Sequence, residues 1–157
     1  MAQNVECGKF LPFDASGYTF VIVRAFFNAD ITNALLQAAR DTLKAYRVSD
    51  ANIFVYDVAG GVEIPVVLQQ AIKNCKPIAA VVLGAIIRGE TPHFDYVAKI
   101  VSEGTLRVAL DSGVPVGFGV LTCEDHEQAV ARTHVGRDAV VAALHSVKEI
   151  ERMTKEH

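Results

Sequence analysis

Apolar positions along this chain follow two rhythms that alternate. Residues 18–23 (YTFVIV) are a β-branched and aromatic run of strand length. Ile31, Leu35, Ala38 or Ala39, Thr42 and Tyr46 then recur at helical spacing, with Leu36 and Leu43 beside them. That pattern predicts an amphipathic helix of about 16 residues, capped by Asn28 or Asp30. Residues 52–58 (NIFVYDV) read as a second strand ending at Gly60-Gly61. Pro65 suits the first turn of a second helix, whose face is Leu68, Ala71, Ile72 and Cys75. Residues 77–87 (PIAAVVLGAII) are apolar throughout, as a strand covered on both faces requires. Thr91 and Pro92 open a third helix that runs to Asp111-Ser112-Gly113, with Gly104 inside it where a close neighbour is expected. Residues 114–121 are the fourth predicted strand, and 124–133 and 138–153 two further helices. Residues 1–17 form an irregular arm in which 4–7 are at most a short edge strand.

Strand and helix alternate from residue 18 onward, which predicts an α/β fold: a four-stranded parallel sheet in a three-layer sandwich with helices on both faces. The 157 residues make one domain. In such sheets ligands bind beyond the carboxyl ends of the strands. This singles out residues 25–28, 59–63, 88–93 and 122.

Composition narrows the function classes. Hydrophobic residues are 51% of the chain and charged residues 21%, a globular balance. Fifteen Lys and Arg against eighteen Asp and Glu leave a net charge of −3, with no basic surplus for a nucleic-acid backbone. No apolar run reaches the roughly 18 residues of a membrane span, and residues 1–17 lack the pattern of a secretory or transit signal. Cys7, Cys75 and Cys123 have neither disulfide-framework nor zinc spacing. A cytoplasmic chain with reduced thiols is expected. The histidines show no ligand spacing, so no metal is expected.

Candidate chemistry gathers at the third strand end. GAIIRGETPHFDYV (84–97) passes from strand through Arg-Gly-Glu-Thr into a helix start, whose free N–H groups and dipole suit an anion. P-loop spacing is absent. His93 is either a proton-transfer group beside that anion or a surface residue behind a Thr91-Pro92 cap. At the second end, Gly60 and Gly61 allow a backbone to approach a planar ligand, and Glu63 suits both a ligand and the helix dipole. At the first, Phe26 and Phe27 are core or stacking residues, and Asn28 is a cap or a ligand-reading amide. Phe118 reads as core, and Arg132 and Arg137 as solvated helix residues.

In order along the chain, FFNADIT (26–32), GGVEIP (60–65), GAIIRGETPHFDYV, GVPVGFGVLT (113–122) and EQAVAR (127–132) resemble the lumazine synthase family. The resemblance implies a flavodoxin-like fold and a reaction. In it, 5-amino-6-(D-ribitylamino)uracil condenses with 3,4-dihydroxy-2-butanone 4-phosphate to give 6,7-dimethyl-8-ribityllumazine, phosphate and water, without metal or organic cofactor. It also implies roles. Phe27 would stack on the pyrimidine, with Asn28 beside it. Gly61, Val62 and Glu63 would bind the ribityl chain, and the backbone of Ile86 and Ile87 would read the pyrimidine edge. Glu90 and Thr91 would form the phosphate loop and His93 would move protons. Phe118 and Arg132 would come from the adjacent subunit of a pentamer or multiple of pentamers, Arg132 facing the phosphate. Riboflavin synthase is a further partner the resemblance suggests.

Three features depart from the family pattern. Phe26 stands where an Arg is usual, with Arg24 two positions earlier; Ala59-Gly60-Gly61 replaces Pro-Gly-Ala; and the loop after Arg132 is shortened to THVGRD (133–138), leaving Arg137 as the candidate for a missing phosphate-loop lysine. A non-catalytic flavin- or lumazine-binding protein, or a shell-forming one, on the same scaffold is the alternative; retained His93 and Arg132 favour turnover.

Overall fold

The computed structural model describes residues 10–157. The expected edge strand at 4–7, and Cys7, lie outside them. Strands β1 (Phe20–Ala25), β2 (Ile53–Val58), β3 (Ala79–Ile87) and β4 (Val116–Cys123) pair in parallel in the order β2-β1-β3-β4. Phe20 lies opposite Ile53 on one side and Ala79 on the other, while β3 and β4 pair from Ala80–Val116 to Ile87–Cys123. Around them lie α1 (Ala29–Ala45), α2 (Ile64–Cys75), α3 (His93–Ser112), α4 (His126–Val130) and α5 (Val135–Glu156). This is the predicted α/β architecture, flavodoxin-like in strand order.

Every residue of β1 is buried. Phe20 and Ile22 pack with Leu35 and Leu43 of α1 and Leu144 of α5, whereas Val21 and Val23 pack with Leu68 of α2 and Val101 of α3. Two covered faces explain the apolar run Phe20–Val23, because successive strand side chains point to opposite faces. They also place the site. The chain leaves β1 into α1 on one face and leaves β3 into α3 on the other. The loops therefore diverge between the adjacent carboxyl ends of β1 and β3, opening a crevice there.

Gly104 has the close neighbour expected of it: a Cβ there would lie 2.5 Å from Pro65 Cγ of α2. Several boundaries differ from the sequence reading. β1 spans Phe20–Ala25 rather than 18–23, and β3 starts at Ala79 rather than at 77. β4 begins and ends two residues later than predicted, since Pro115 has no N–H to give the ladder and instead accepts from Ala80 N–H at 3.0 Å. The helix predicted over 124–133 shrinks to α4. The Asp125 side chain accepts from Gln128 N–H at 2.9 Å and fixes the start after itself, and turns follow Val130. The last helix starts at Val135 rather than Asp138. Gly136, which the sequence reading leaves in the loop 133–138, lies inside the helix, and a Cβ there would lie 2.2 Å from Leu35 O of α1. Glycine is required in that turn of α5 for the two helices to meet.

Candidate active site

The crevice between β1 and β3 is assembled from main chain before any side chain enters. Phe26 N–H donates to Val58 O at 2.8 Å and Phe27 N–H to Ala59 O at 3.0 Å, binding the first strand end to the second. Asn28 occupies the N-cap position of α1 with φ 62°, a left-handed conformation that Asn tolerates better than most residues. Its side chain does not cap the helix. Asn28 Nδ2 donates to Ala85 O of β3 at 2.9 Å and so joins the first strand end to the third.

Neither Phe26 nor Phe27 is core: they are 52% and 67% exposed. A Cβ on Gly60 would fall 2.7 Å from Phe27 Cδ2 and 3.6 Å from a Glu63 carboxylate oxygen. Gly60 thus makes room for the protein's own ring, not for a ligand, and one side of that ring stays open. A Cβ added at Gly61 would lie 3.5 Å from side-chain atoms of Ile86 and of Val97 in α3, ordinary contact range. Val62 and Glu63 are exposed in a short 3₁₀ turn before α2, and Ile86 and Ile87 end β3 half-buried. The structure therefore brings Phe27, Asn28, Gly61, Val62, Glu63, Ile86 and Ile87 to one end of the sheet.

Residues 88–92 carry the chain from β3 into α3, with Glu90, Thr91 and His93 all exposed. His93 N–H reaches Thr91 Oγ1 at 3.4 Å, and Asp95 N–H donates to Pro92 O at 3.0 Å. Among the described residues the His93 imidazole has no hydrogen-bond partner, which leaves both ring nitrogens open to a ligand at a helix N-terminus suited to anions. Beside them Arg88 Nε donates to Glu124 Oε2 at 2.9 Å, and that bond holds the guanidinium proton more tightly than usual.

Arg132, Phe118 and Arg137 lie elsewhere. Arg132 follows α4, half-buried, with Nη1 donating to Gln128 O at 2.8 Å. Its charge is felt at the Cys123 thiol, whose pKa burial pushes up and Arg132 partly offsets. Cys123 packs on the α1/α5 face, whereas α3, which starts at His93, covers the other. Phe118 is 41% exposed on β4 opposite Val82, roughly 17 Å of strand below the Cys123 end. Arg137 is not in a loop but in the first turn of α5, its Nη2 3.0 Å from Asp138 Oδ1. It borders Asp41 and Thr42, roughly 18 Å along α1 from its start.

Arg24, displaced from the family's usual position, is buried within the fold. Its Nε lies 2.8 Å from Asp57 Oδ1, it donates to Asn33, and its guanidinium sits 5.0 Å from the Phe26 ring. Two contacts had no sequence signal. His126 Nε2 lies 2.7 Å from Asp30 Oδ2, tying α4 to the start of α1 and holding the Asp30 carboxyl below its usual range. The Arg88–Glu124 pair is the other. Both join residues far apart in the chain, which no local spacing reveals.

The segments that line the crevice all fall within the stretch of this chain that a known family matches. The model of the 6,7-dimethyl-8-ribityllumazine synthase family matches residues 17–151. A relative from Lawsonia intracellularis (strain PHE/MN1-00), a 6,7-dimethyl-8-ribityllumazine synthase, is 38% identical over 147 residues, covering 90% of this chain and 94% of the relative. With the family model spanning all four strands and the crevice between them, the chain belongs to the 6,7-dimethyl-8-ribityllumazine synthase family.

Proposed function

We propose that this protein condenses 5-amino-6-(D-ribitylamino)uracil with 3,4-dihydroxy-2-butanone 4-phosphate, releasing phosphate and water and forming 6,7-dimethyl-8-ribityllumazine. The observation that carries the reading is the open side of the Phe27 ring, seated on Gly60 beside the Glu63 carboxylate at the family's own crevice. The ring offers a stacking platform for the pyrimidine, Glu63 a carboxylate for ribityl hydroxyls, and the end of β3 main-chain groups for the pyrimidine edge.

The amine attacks the ketone and a first water leaves, phosphate is then expelled by elimination, and the ribityl-bearing nitrogen closes the ring on the remaining carbonyl with loss of a second water. Holding two substrates in register supplies much of the rate. His93 exchanges the protons that imine formation and phosphate loss require. The turn at residues 90–93 and the start of α3 receive the phosphate.

A single chain supplies only part of this site. Phe118 lies well down β4 from the crevice, and Arg132 lies towards the opposite face of the sheet from α3. We read both as completing the site of a neighbouring subunit, Arg132 pairing with the phosphate and Arg137 assisting from the start of α5. Exposed Tyr96, Ile100, Leu106 and Leu110 on α3, with Phe118 on edge strand β4, give an apolar surface suited to such an assembly, a pentamer or a multiple of it. The free thiols Cys75 and Cys123 fit a reducing, cytoplasmic setting.

Mixing the two substrates with the protein and following lumazine absorbance tests the reaction. Mixing the variants Phe27→Ser and Arg132→Ala, at substrate concentrations where each alone turns over slowly, tests the shared site. Hybrid oligomers should regain activity at interfaces that carry both native halves. Absence of turnover removes the catalytic reading, and absence of rescue removes the shared one.

A further inference from the structure

Arg88 is the residue in the loop at residues 88–92 whose contacts reach both β4 with the turn after it and the start of α3. Its N–H donates to Cys123 O at 2.9 Å, extending the β3–β4 pairing by one bond. Its Nε donates to both carboxylate oxygens of Glu124, at 2.9 and 3.1 Å, just past the end of β4. Nη2 reaches Asp95 Oδ1 at 3.5 Å in the first turn of α3, and the guanidinium carbon lies 4.4 Å from the centre of the Phe94 ring. A planar guanidinium can pair with carboxylates along its edges while its face lies on an aromatic ring, which an ammonium cannot do. The loop that it spans has little else. Gly89 and Glu90 are exposed, and among the described residues the other ties are the Thr91–His93 and Pro92–Asp95 contacts.

We propose that Arg88 is a positioning residue for the condensation: through Glu124, Asp95 and Phe94 it locks the turn bearing Glu90, Thr91 and His93 against the ends of β3 and β4, and so sets where the substrate phosphate sits relative to His93. This rests on the reaction assigned above. The two carboxylates already engage the guanidinium, so its part is geometric and Arg88 is not itself the phosphate's counter-charge. An exposed ion pair adds little to stability, but a displacement of about 1 Å at a reacting centre can cost on the order of 100-fold in rate.

The test uses the assembled protein with Arg88→Met, Arg88→Lys, Glu124→Gln and the Met/Gln double variant. For each, kcat, the KM of both substrates and Tm are measured. Arg88→Met should lower kcat/KM for the butanone phosphate by roughly 10–100-fold, with the KM for the ribitylaminouracil within about twofold. Arg88→Lys should recover only part, because it lacks the fork. Glu124→Gln should act in the same direction more weakly, and the double variant should be no worse than Arg88→Met, as members of one network are non-additive. A butanone-phosphate KM that falls in Glu124→Gln would show that the released guanidinium binds phosphate directly, overturning the proposal. Losses shared equally by both substrates and tracking Tm, or no change at all, overturn it too. Wild-type protein without turnover refutes the assigned reaction and this inference together; wild-type turnover with unaffected variants refutes the inference alone.

Discussion

Adding one methyl group at Gly60 separates the fold from the stacking platform. Gly60 has φ −145° and ψ −176°, extended backbone open to any residue, so alanine brings no backbone strain. Its Cβ would sit 2.7 Å from Cδ2 and 2.9 Å from Cε2 of Phe27, well inside contact distance. The clash falls on the far end of an exposed side chain, which can swing away without opening the core. Gly60→Ala should therefore leave Tm within a few degrees while moving the ring off its seat. Stacking of an aromatic pair is worth about 0.5–1.5 kcal/mol beyond area burial, so losing it should weaken ribitylaminouracil binding by roughly 2–13-fold. Titration calorimetry with the ribitylaminouracil, alongside the KM for each substrate, reads this directly. In a Phe27→Ser background the same methyl group should add almost nothing, because the ring it displaces is gone. If Gly60→Ala binds the ribitylaminouracil as well as wild type while Phe27→Ser does not, the ring tolerates displacement and its seat on Gly60 has no role. If the two penalties simply add, Gly60 acts independently of Phe27.

His93→Ala should lower kcat by roughly 10–10³-fold with smaller changes in KM, read from lumazine formation under saturating substrates; an unchanged kcat removes His93 from proton transfer. Gly136→Ala drives a Cβ into Leu35 O, which is backbone and cannot swing aside. It should cost about 1–3 kcal/mol and lower Tm by about 2–12 °C, whereas Gly17→Ala, with nothing within 4 Å, should be neutral. His145 is pushed below its usual pKa by burial and then by Lys148, with Tyr46 Oη 2.8 Å from its Nε2. The folded state thus favours neutral imidazole. The stability this gives is complete above the unfolded value of about 6.5 and is lost as pH falls from there through the folded pKa. His145→Gln should show a shallower decline of Tm between neutral and acid pH than wild type, and equal slopes would refute the assignment.

Much of the fold is legible in the sequence because its signals are local. The apolar run Phe20–Val23 of β1 and the 3.6-residue spacing of α1 report burial on two faces and on one, and neither depends on what lies opposite. Three of the ordered motifs likewise mark loops that matter, since 26–32 and 60–65 follow β1 and β2 and 84–97 runs across the end of β3. The ends of β4, α4 and α5 were less legible. Asp125 captures the Gln128 amide, and Gly136 serves contact with α1 rather than a break in the helix. Spacing carries no trace of either partner's position.

The division is sharpest at the site. The sequence determined that Phe27, Asn28, Glu63 and His93 follow strands of a parallel sheet and that Ile86 lies at the end of one, because alternation of strand and helix sends every such loop to the same end. Only the tertiary structure decided that β1 adjoins β3, so that Asn28 reaches Ala85 instead of capping its own helix. It also decided that the Phe27 ring takes the space that Gly60 leaves, and that Arg137 belongs to a helix well down α1 from the crevice. Each of these depends on pairing between segments tens of residues apart. A residue's local pattern states whether it is buried and in what kind of element, but not which distant residue it meets.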